Sequence, residues 1–152
     1  MVIPNGLIVN LFGPIEGKRH DAAVLAQSGF LNQLQQHSIA PDGRILCIYG
    51  DSAYPLRPQL QAPFREPGLT AQQKEFNKSM SQVRVSVEWV FKEIVNYFKF
   101  MDFKKNLKVH LSAVGKMYLV CALLTNCRTC LYGNQTSDFF NCEPININTY
   151  LA

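Results

Sequence analysis

Apolar runs and turn-forming residues alternate along the first third of the chain. Two apolar or β-branched runs flank Asn5-Gly6, a pair that favours a tight hairpin turn, so residues 1–12 are predicted to form a β-hairpin. Apolar residues at helical spacing then predict a helix from Asp21 to about Gln36. Ser28-Gly29 either interrupts this helix or divides it in two.

A continuous apolar run from Ile45 to Tyr49 has the length of a strand, and it predicts one buried on both faces. The run ends at Gly50-Asp51. Open α/β sheets bind their ligands just beyond the carboxyl ends of their strands, which favours a functional role for Asp51 over that of an ordinary loop aspartate. The proline-rich residues 54–68 predict an irregular connection with a short strand near Leu60.

The stretch from Thr70 to Phe98 fits two patterns. Residues 83–91 alternate as a strand would, but an apolar stripe at 3.6-residue spacing extends farther, to Phe98. Thr70 and Gln73 form the sequence pattern of a capping box, and no breaker follows them. We therefore predict one long helix.

Arg84 and Glu88 are four residues apart on this predicted helix and share one face. At about 100° per residue they lie on the flank of the apolar stripe, where a partly desolvated Glu88 can point at a neighbouring element. The alternative is a plain helical ion pair, which contributes about 0.3–0.5 kcal/mol.

Nearly every position from Leu111 to Leu131 is apolar, which predicts a buried last helix that Gly133 ends. The polar, Asn-rich residues 134–152 predict an extended strap over the surface. The sequence thus divides into a domain of residues 1–133 and a C-terminal tail of residues 134–152.

Composition excludes several classes of protein. A chain of 152 residues with 47% hydrophobic residues is expected to form one globular domain. No apolar run is long enough to span a membrane, and no segment resembles a secretory signal.

The five cysteines are odd in number and do not indicate a disulfide scaffold; Cys47 and Cys121 are predicted to be buried thiols. Cys127-x-x-Cys130 has the spacing of half a zinc site, and the alternative is one helical turn bearing two thiols.

Charge is distributed unevenly along the chain, whose net charge is +4. Between Thr70 and Lys116 there are nine Lys and Arg residues but only four Asp and Glu residues, and the rest of the chain is slightly acidic. This basic block favours a polyanionic partner, and a solvated helix face is the alternative. Within the block, Lys104, Lys105 and Lys108 form a basic loop that is suited to phosphate contacts.

Five short motifs occur in an order typical of one known family. They are Pro4-Asn5-Gly6-Leu7-Ile8; Gly17-Lys18-Arg19-His20-Asp21; Gly50-Asp51-Ser52-Ala53-Tyr54-Pro55-Leu56; Phe76-Asn77 with Arg84-Val85-Ser86-Val87-Glu88-Trp89-Val90-Phe91; and Cys130-Leu131-Tyr132-Gly133-Asn134. With these motifs the chain resembles, over nearly its whole length, the DDE endonuclease domain of PIF/Harbinger-type transposases and their domesticated relatives.

The resemblance implies an α/β fold, namely a ribonuclease-H-like mixed sheet flanked by helices. In that fold the first strand is central, between the hairpin and the strand that precedes Asp51, and it carries the first Asp of the catalytic set. This sequence begins inside the hairpin, so we expect it to lack the first strand and the preceding helix-turn-helix region. Residues 1–133 are then a partial nuclease domain with two uncovered strand edges.

The resemblance also implies a metal centre of three carboxylates and two divalent cations, Mg²⁺ or Mn²⁺. The second Asp of the family matches Asp51 and its Glu matches Glu88, and both are expected to bind metal. Two such ions can activate a water molecule and stabilise the leaving oxygen of a phosphodiester, and carboxylates suit Mg²⁺ as hard ligands. Asp21 and Arg84 are expected to support these ligands, and Asp21 is the nearest candidate for an alternative one.

The implied function is that of a metal-dependent DNA endonuclease or transposase in the nucleus, catalysing phosphodiester hydrolysis and strand transfer. DNA is the implied partner, together with a separate Myb-like DNA-binding protein as in the family. The alternative is a catalytically dead, domesticated module that binds DNA or protein through its basic surface. The chain departs from the family at Lys92, where Gly is usual, and at Thr125, where His is frequent.

Overall fold

The computed structural model describes residues 1–13, 15, 20–65, 67–101 and 113–152. The chain forms two compact units, one made of Met1–Pro14 with Val85–Ala152 and the other of Ile15–Arg84. The described elements are mostly helices, together with a small two-stranded parallel sheet. This mixture is consistent with the predicted α/β class.

The second unit begins with two short helices, α1 (Asp21–Gln27) and α2 (Phe30–His37). Gly29 separates them with a φ of +66°, a conformation that favours glycine, so the predicted division at Ser28-Gly29 is confirmed. Two short parallel strands follow, β1 (Ile48–Tyr49) and β2 (Leu60–Gln61), and β2 confirms the strand predicted near Leu60.

The strand before Asp51 is shorter and less covered than the sequence predicts. Only its last two residues form β1, and Ile45 and Leu46 are 56% and 53% exposed. Cys47 is also exposed, so the predictions of a strand buried on both faces and of a buried Cys47 thiol were wrong. An apolar run indicates a tendency to be buried, but burial also requires elements that pack on both faces, and the described residues supply few.

Described strands cover only one edge of β1. The amides of Ile48 and Gly50 donate to carbonyl oxygens on and beside β2 at 3.0 and 2.8 Å. Because backbone groups alternate in direction along a strand, the amides of Cys47 and Tyr49 point to the opposite edge. No strand in the described part of the chain pairs with that edge.

The long helix α3 (Ala71–Tyr97) begins at the predicted capping box. The Thr70 hydroxyl oxygen accepts from the Gln73 amide at 3.2 Å, and the Gln73 side chain accepts from the Thr70 amide at 2.9 Å. Two otherwise unpaired amides are thereby satisfied at the start of the helix. The helix continues without a break through residues 83–91, which confirms the helical prediction and excludes the strand.

The first unit contains the predicted hairpin. Val2 and Ile8 pair in antiparallel fashion, and the Ile3 amide donates to the Leu7 carbonyl at 3.1 Å. Gly6 makes the turn with a φ of +82°. The Val2–Ile8 pair lies between two hydrogen-bonded positions, so the backbone groups of Val2 face outward, to an edge that no described strand covers.

A short 3₁₀ turn (Lys99–Met101) and the helix α4 (Val114–Tyr132) build the core of this unit. The buried cluster comprises Ile94, Met101, Cys121 and Ala122, which confirms the buried Cys121 thiol. Gly133 ends α4 as predicted, with a φ of +69°.

Helix α4 is not the buried helix that its composition predicts. Val120, Leu123 and Leu124 are about half exposed, because described residues cover α4 on one side only. The buried side is instead mainly small or polar, with Thr125, Asn126 and Thr129 among its residues. Among the described helices none is long and apolar enough to cross a membrane.

The C-terminal tail is helical rather than extended, so the predicted strap was wrong. Residues 134–152 contain α5 (Gln135–Phe140) and α6 (Ile147–Leu151), and α6 packs against α4. The side chains of Asn134 and Asn146 accept hydrogen bonds from the first turns of these helices. Part of the asparagine content that indicated an irregular strap therefore caps helices.

Two asparagine side chains each hold both backbone groups of a distant residue. The Asn126 amide accepts from the Ile8 N–H at 2.8 Å and donates to the Ile8 carbonyl at 2.8 Å. In the second unit Asn77 binds the N–H and the carbonyl of Phe64 in the same way, both at 2.9 Å. We call these two contacts the amide clamps. They give a structural role to Asn77, which stands in one of the family motifs, and to Asn126.

Replacing Gly6 by Ala should destabilise the protein far more than replacing Gly43 by Ala. Both glycines have φ near +80°, which costs about 1–2 kcal/mol for Ala. At Gly43 a new Cβ meets nothing within 4 Å, whereas at Gly6 it would lie 2.1 Å from Oδ1 of Asn134, which is buried. Asn134 donates to the Gly6 carbonyl and caps α5, so it cannot move without losing these bonds.

We expect the Gly6 variant to lose about 1–3 kcal/mol of unfolding free energy beyond the loss at Gly43, the usual cost of overpacking. Urea unfolding followed by circular dichroism measures both losses. Equal losses in the two variants would contradict the close contact between Gly6 and Asn134.

Candidate functional site

Asp51 follows β1 directly, and its carboxylate is fixed by neighbours in sequence and by α3. Oδ1 accepts from the Ala53 amide at 3.1 Å and from the Ser52 hydroxyl at 3.3 Å. Oδ2 accepts from Nη1 of Arg84 at 2.5 Å. The Ala53 amide and then Arg84 lower the pKa of the Asp51 carboxyl below its usual value. Asp51 is therefore ionised at neutral pH.

Gly50 and Tyr54 shape the backbone around Asp51. A Cβ at Gly50 would lie 2.7 Å from Cδ2 of Tyr54, so glycine lets this ring pack against the end of β1. Burial raises the pKa of the Tyr54 hydroxyl, and the carboxylates of Asp21 and Asp51 raise it further. Sequence reasoning missed Tyr54 as a site residue, although the spacing of Gly50 and Tyr54 within one motif was a signal.

Asp21 is exposed and opens α1. The structure brings it close enough to Tyr54 to act electrostatically on the same phenol as Asp51. Among the described residues, no hydrogen bond joins Asp21 to the loop of Asp51. Its expected role as support or alternative ligand stays a prediction.

Arg84 pairs with Asp51 and not with Glu88, so the plain helical ion pair is not formed. Glu88 lies one turn farther along the same face of α3. It is exposed, not partly desolvated as expected, and it forms no hydrogen bond or ion pair with another described residue. An exposed carboxylate without a partner is available to a cation.

Further polar groups lie around Asp51. Arg65 donates to the Ser52 carbonyl at 2.9 Å and so holds the loop that carries Asp51. The Tyr49 hydroxyl is buried without a hydrogen-bond partner among the described residues, and its pKa is raised by burial despite the nearby Arg84. The predicted phosphate contacts Lys104, Lys105 and Lys108 lie outside the described residues.

The two positions at which the chain departs from the family pattern, Lys92 and Thr125, have different surroundings. Lys92 is exposed on α3. Thr125 is buried, and its hydroxyl donates to the Cys121 carbonyl of the preceding turn at 2.8 Å. The threonine hydroxyl is therefore satisfied within α4, at a position where the resemblance leads us to expect a histidine.

The carboxylates of Asp51 and Glu88 are the type of ligand that a divalent cation prefers, but two are fewer than a metal site usually has. Asp51 offers hard carboxylate oxygens, and the guanidinium on Oδ2 shows that this atom accepts a cationic partner. Glu88 adds a second carboxylate on α3. No group of three or more His, Cys, Asp or Glu side chains suited to one metal ion occurs in the described part of the chain, Cys127 and Cys130 included.

A family model described as DDE superfamily endonuclease matches residues 1–126, which include both Asp51 and Glu88. Neither the curated proteins nor the solved structures give a significant match. Because the family model covers most of the 152 residues, the chain belongs to the DDE superfamily endonucleases. Membership indicates a nuclease- or transposase-like function with DNA as the partner, and endonucleases of this superfamily generally use divalent metals.

Proposed function

We propose that this chain is the greater part of a Harbinger-type DNA endonuclease or transposase domain in which Asp51 and Glu88 bind Mg²⁺ or Mn²⁺. The observation that carries the proposal is the hydrogen bond between Asp51 and Arg84. This bond joins the carboxyl end of β1 to α3, the helix that also carries Glu88 one turn after Arg84. A strand-end aspartate and a helical glutamate are the two carboxylates that the family resemblance assigns to the metal centre.

The described side chains have distinct tasks in this proposal. When bound, the ions activate the attacking water and stabilise the leaving oxygen of the phosphodiester. Asp51 is kept ionised and oriented by the Ala53 amide, and Glu88 has no ion-pair partner among the described residues. Arg65 and Arg84 add positive charge beside Asp51, where a DNA phosphate would approach.

The third carboxylate is proposed to come from a strand outside these 152 residues. Each unit has an uncovered strand edge within its described part, at Val2 in the first unit and at Cys47 and Tyr49 in the second. In a ribonuclease-H-like sheet the strand that bears the first Asp is central, and we propose that such a strand pairs with the edge of β1 at Cys47 and Tyr49. The exposed Ile45 and Leu46 supply apolar surface that such a strand and its flanking residues would cover.

The test is to fuse the segment of an intact relative that carries the first strand and its Asp. Hydrogen exchange at the amides of Cys47 and Tyr49 should slow, whereas the Ile48 amide, already bonded, should change little. Metal-dependent cleavage of plasmid DNA should appear only in the fused protein. Unchanged exchange at Cys47 and Tyr49 in a folded, fused protein would refute this placement of the strand.

A second candidate function is a catalytically inactive, nuclear module that binds DNA or protein. Two observations favour it: Arg84 already neutralises Asp51, and the described residues offer no three-ligand metal group. In this proposal the basic block from Thr70 to Lys116 makes the contacts. A separate Myb-like protein would then supply sequence recognition, since phosphate contacts alone carry none.

The DNA affinity of the chain should be weak and should fall steeply with salt, because contacts to phosphates release counterions. Charge reversal at Lys104, Lys105 and Lys108 should reduce the slope of log affinity against log salt concentration by about three. The reversal should weaken binding to all DNA sequences alike. Fluorescence anisotropy with two unrelated duplexes measures this. Reversal at Arg57, outside the basic block, is the control. Salt-insensitive binding would favour a protein-binding module instead.

A further inference from the structure

We propose that Arg84 occupies the place of a divalent cation on Asp51 and so lowers the affinity of this carboxylate for its metal ion. The inference rests on the proposed metal site and adds a competitor to it. Its basis is the contact between Nη1 of Arg84 and Oδ2 of Asp51, at 2.5 Å. A metal ion that binds this oxygen must first displace the guanidinium.

The two carboxylate oxygens of Asp51 have partners of different kinds. Oδ1 is held by the Ala53 amide and the Ser52 hydroxyl, which belong to the same loop. Oδ2 is held by Arg84, which belongs to α3. When the guanidinium leaves, the carboxylate therefore keeps its orientation and loses only its counter-charge. Such a ligand is already positioned for a cation.

The strength of the pair is suited to competition. The Arg84 and Asp51 side chains are 40% and 42% exposed, so water and ions reach both. Ion pairs of this exposure are weak and are screened by salt. A competitor of that strength reduces the apparent metal affinity by about two- to five-fold and does not abolish binding.

Among the described residues of this unit, no other arginine contacts the Asp51 carboxylate. Arg65 donates to the Ser52 carbonyl rather than to the Asp51 carboxylate. Arg57 uses backbone atoms in its hydrogen bonds, and its guanidinium has no hydrogen-bond partner among the described residues. Arg57 is therefore a matched control, since replacing it removes one positive charge from the same unit without touching Asp51.

The experiment is a Mn²⁺ titration of the 152-residue chain at low ionic strength, in which electron paramagnetic resonance measures the free ion. We expect Arg84→Gln to tighten the Asp51-dependent binding about two- to five-fold, and Arg57→Gln to leave it nearly unchanged. Arg84→Lys should give an intermediate affinity, because an ammonium group is strongly hydrated and cannot form the guanidinium fork. Asp51→Asn, alone and combined with Arg84→Gln, defines the Asp51-dependent part.

The outcomes separate this inference from the proposed function. Asp51-dependent binding that is unchanged or weaker in both Arg84 variants, with circular dichroism like that of the wild type, would overturn the competitor and leave the metal site standing. If Arg84→Gln does not fold, the test rests on Arg84→Lys. An Asp51-dependent Mn²⁺ affinity of Arg84→Lys equal to that of the wild type then overturns the inference. Binding that is independent of Asp51 in every protein would overturn both the metal site and its competitor.

Discussion

Asp51→Asn and Glu88→Gln should each reduce plasmid cleavage by the strand-completed protein more than about a hundred-fold. Both substitutions keep the size of the side chain and remove its charge. Loss of a group that merely orients a metal ligand costs about 10- to 100-fold, so loss of the ligand itself should cost more. Conversion of supercoiled plasmid in the presence of Mg²⁺ or Mn²⁺ measures the effect.

Three comparisons make this prediction specific. Glu75→Gln replaces another exposed carboxylate on α3 and should leave cleavage unchanged. The 152-residue chain without the added strand should not cut DNA, because two carboxylates supply too few ligands to position two ions. Robust cleavage by this chain, lost in both Asp51→Asn and Asp21→Asn, would show that Asp21 is the third ligand and that no added strand is needed.

Asn126→Ala should destabilise the protein by about 3 kcal/mol, more than most single substitutions. Asn126 is buried and forms one amide clamp, and it also donates to the Tyr150 hydroxyl of α6 at 3.0 Å. Alanine would leave the N–H and the carbonyl of the half-buried Ile8 without this partner. Unpaired buried groups cost about 1–3 kcal/mol each. Chemical unfolding measures the loss.

Asn96→Ala is the matched control for this substitution. Asn96 is exposed on α3, and alanine is the better helix former, so this variant should be as stable as the wild type or slightly more so. Asn126→Asp adds a further comparison, since it keeps an acceptor for the Ile8 N–H but sets a carboxylate oxygen against the Ile8 carbonyl. It should destabilise at least as much as alanine. A loss below about 1 kcal/mol in both Asn126 variants would contradict the amide clamp.

Local features of the fold could be predicted from the sequence. The turn at Asn5-Gly6, the division at Ser28-Gly29 and the cap at Thr70 depend on residues within one or two turns of each other, and all three were confirmed. The tail was mispredicted because its asparagines were taken as a mark of irregular structure. Asn134 and Asn146 instead cap short helices, which a composition argument cannot show.

Burial and partner choice could not be predicted, because they depend on distant residues. The apolar character of Ile45 and Leu46 was clear, but their exposure depends on which elements cover them. Asp51 was selected by its place after a strand, whereas helical spacing offered Glu88 as the alternative partner of Arg84. The actual contact joins residues 33 positions apart in sequence, and no spacing rule identifies it.

The edge of β1 that no described strand covers also affects how the protein behaves at high concentration. The run from Ile45 to Tyr49 contains no charge and no proline, the two features that usually keep exposed strands from associating. A second copy of the chain could pair there as readily as a completing strand, and the result would be aggregation. A strand that covers this edge would therefore also protect solubility, and the level of intact protein in a cell would depend on how soon the edge is covered after synthesis.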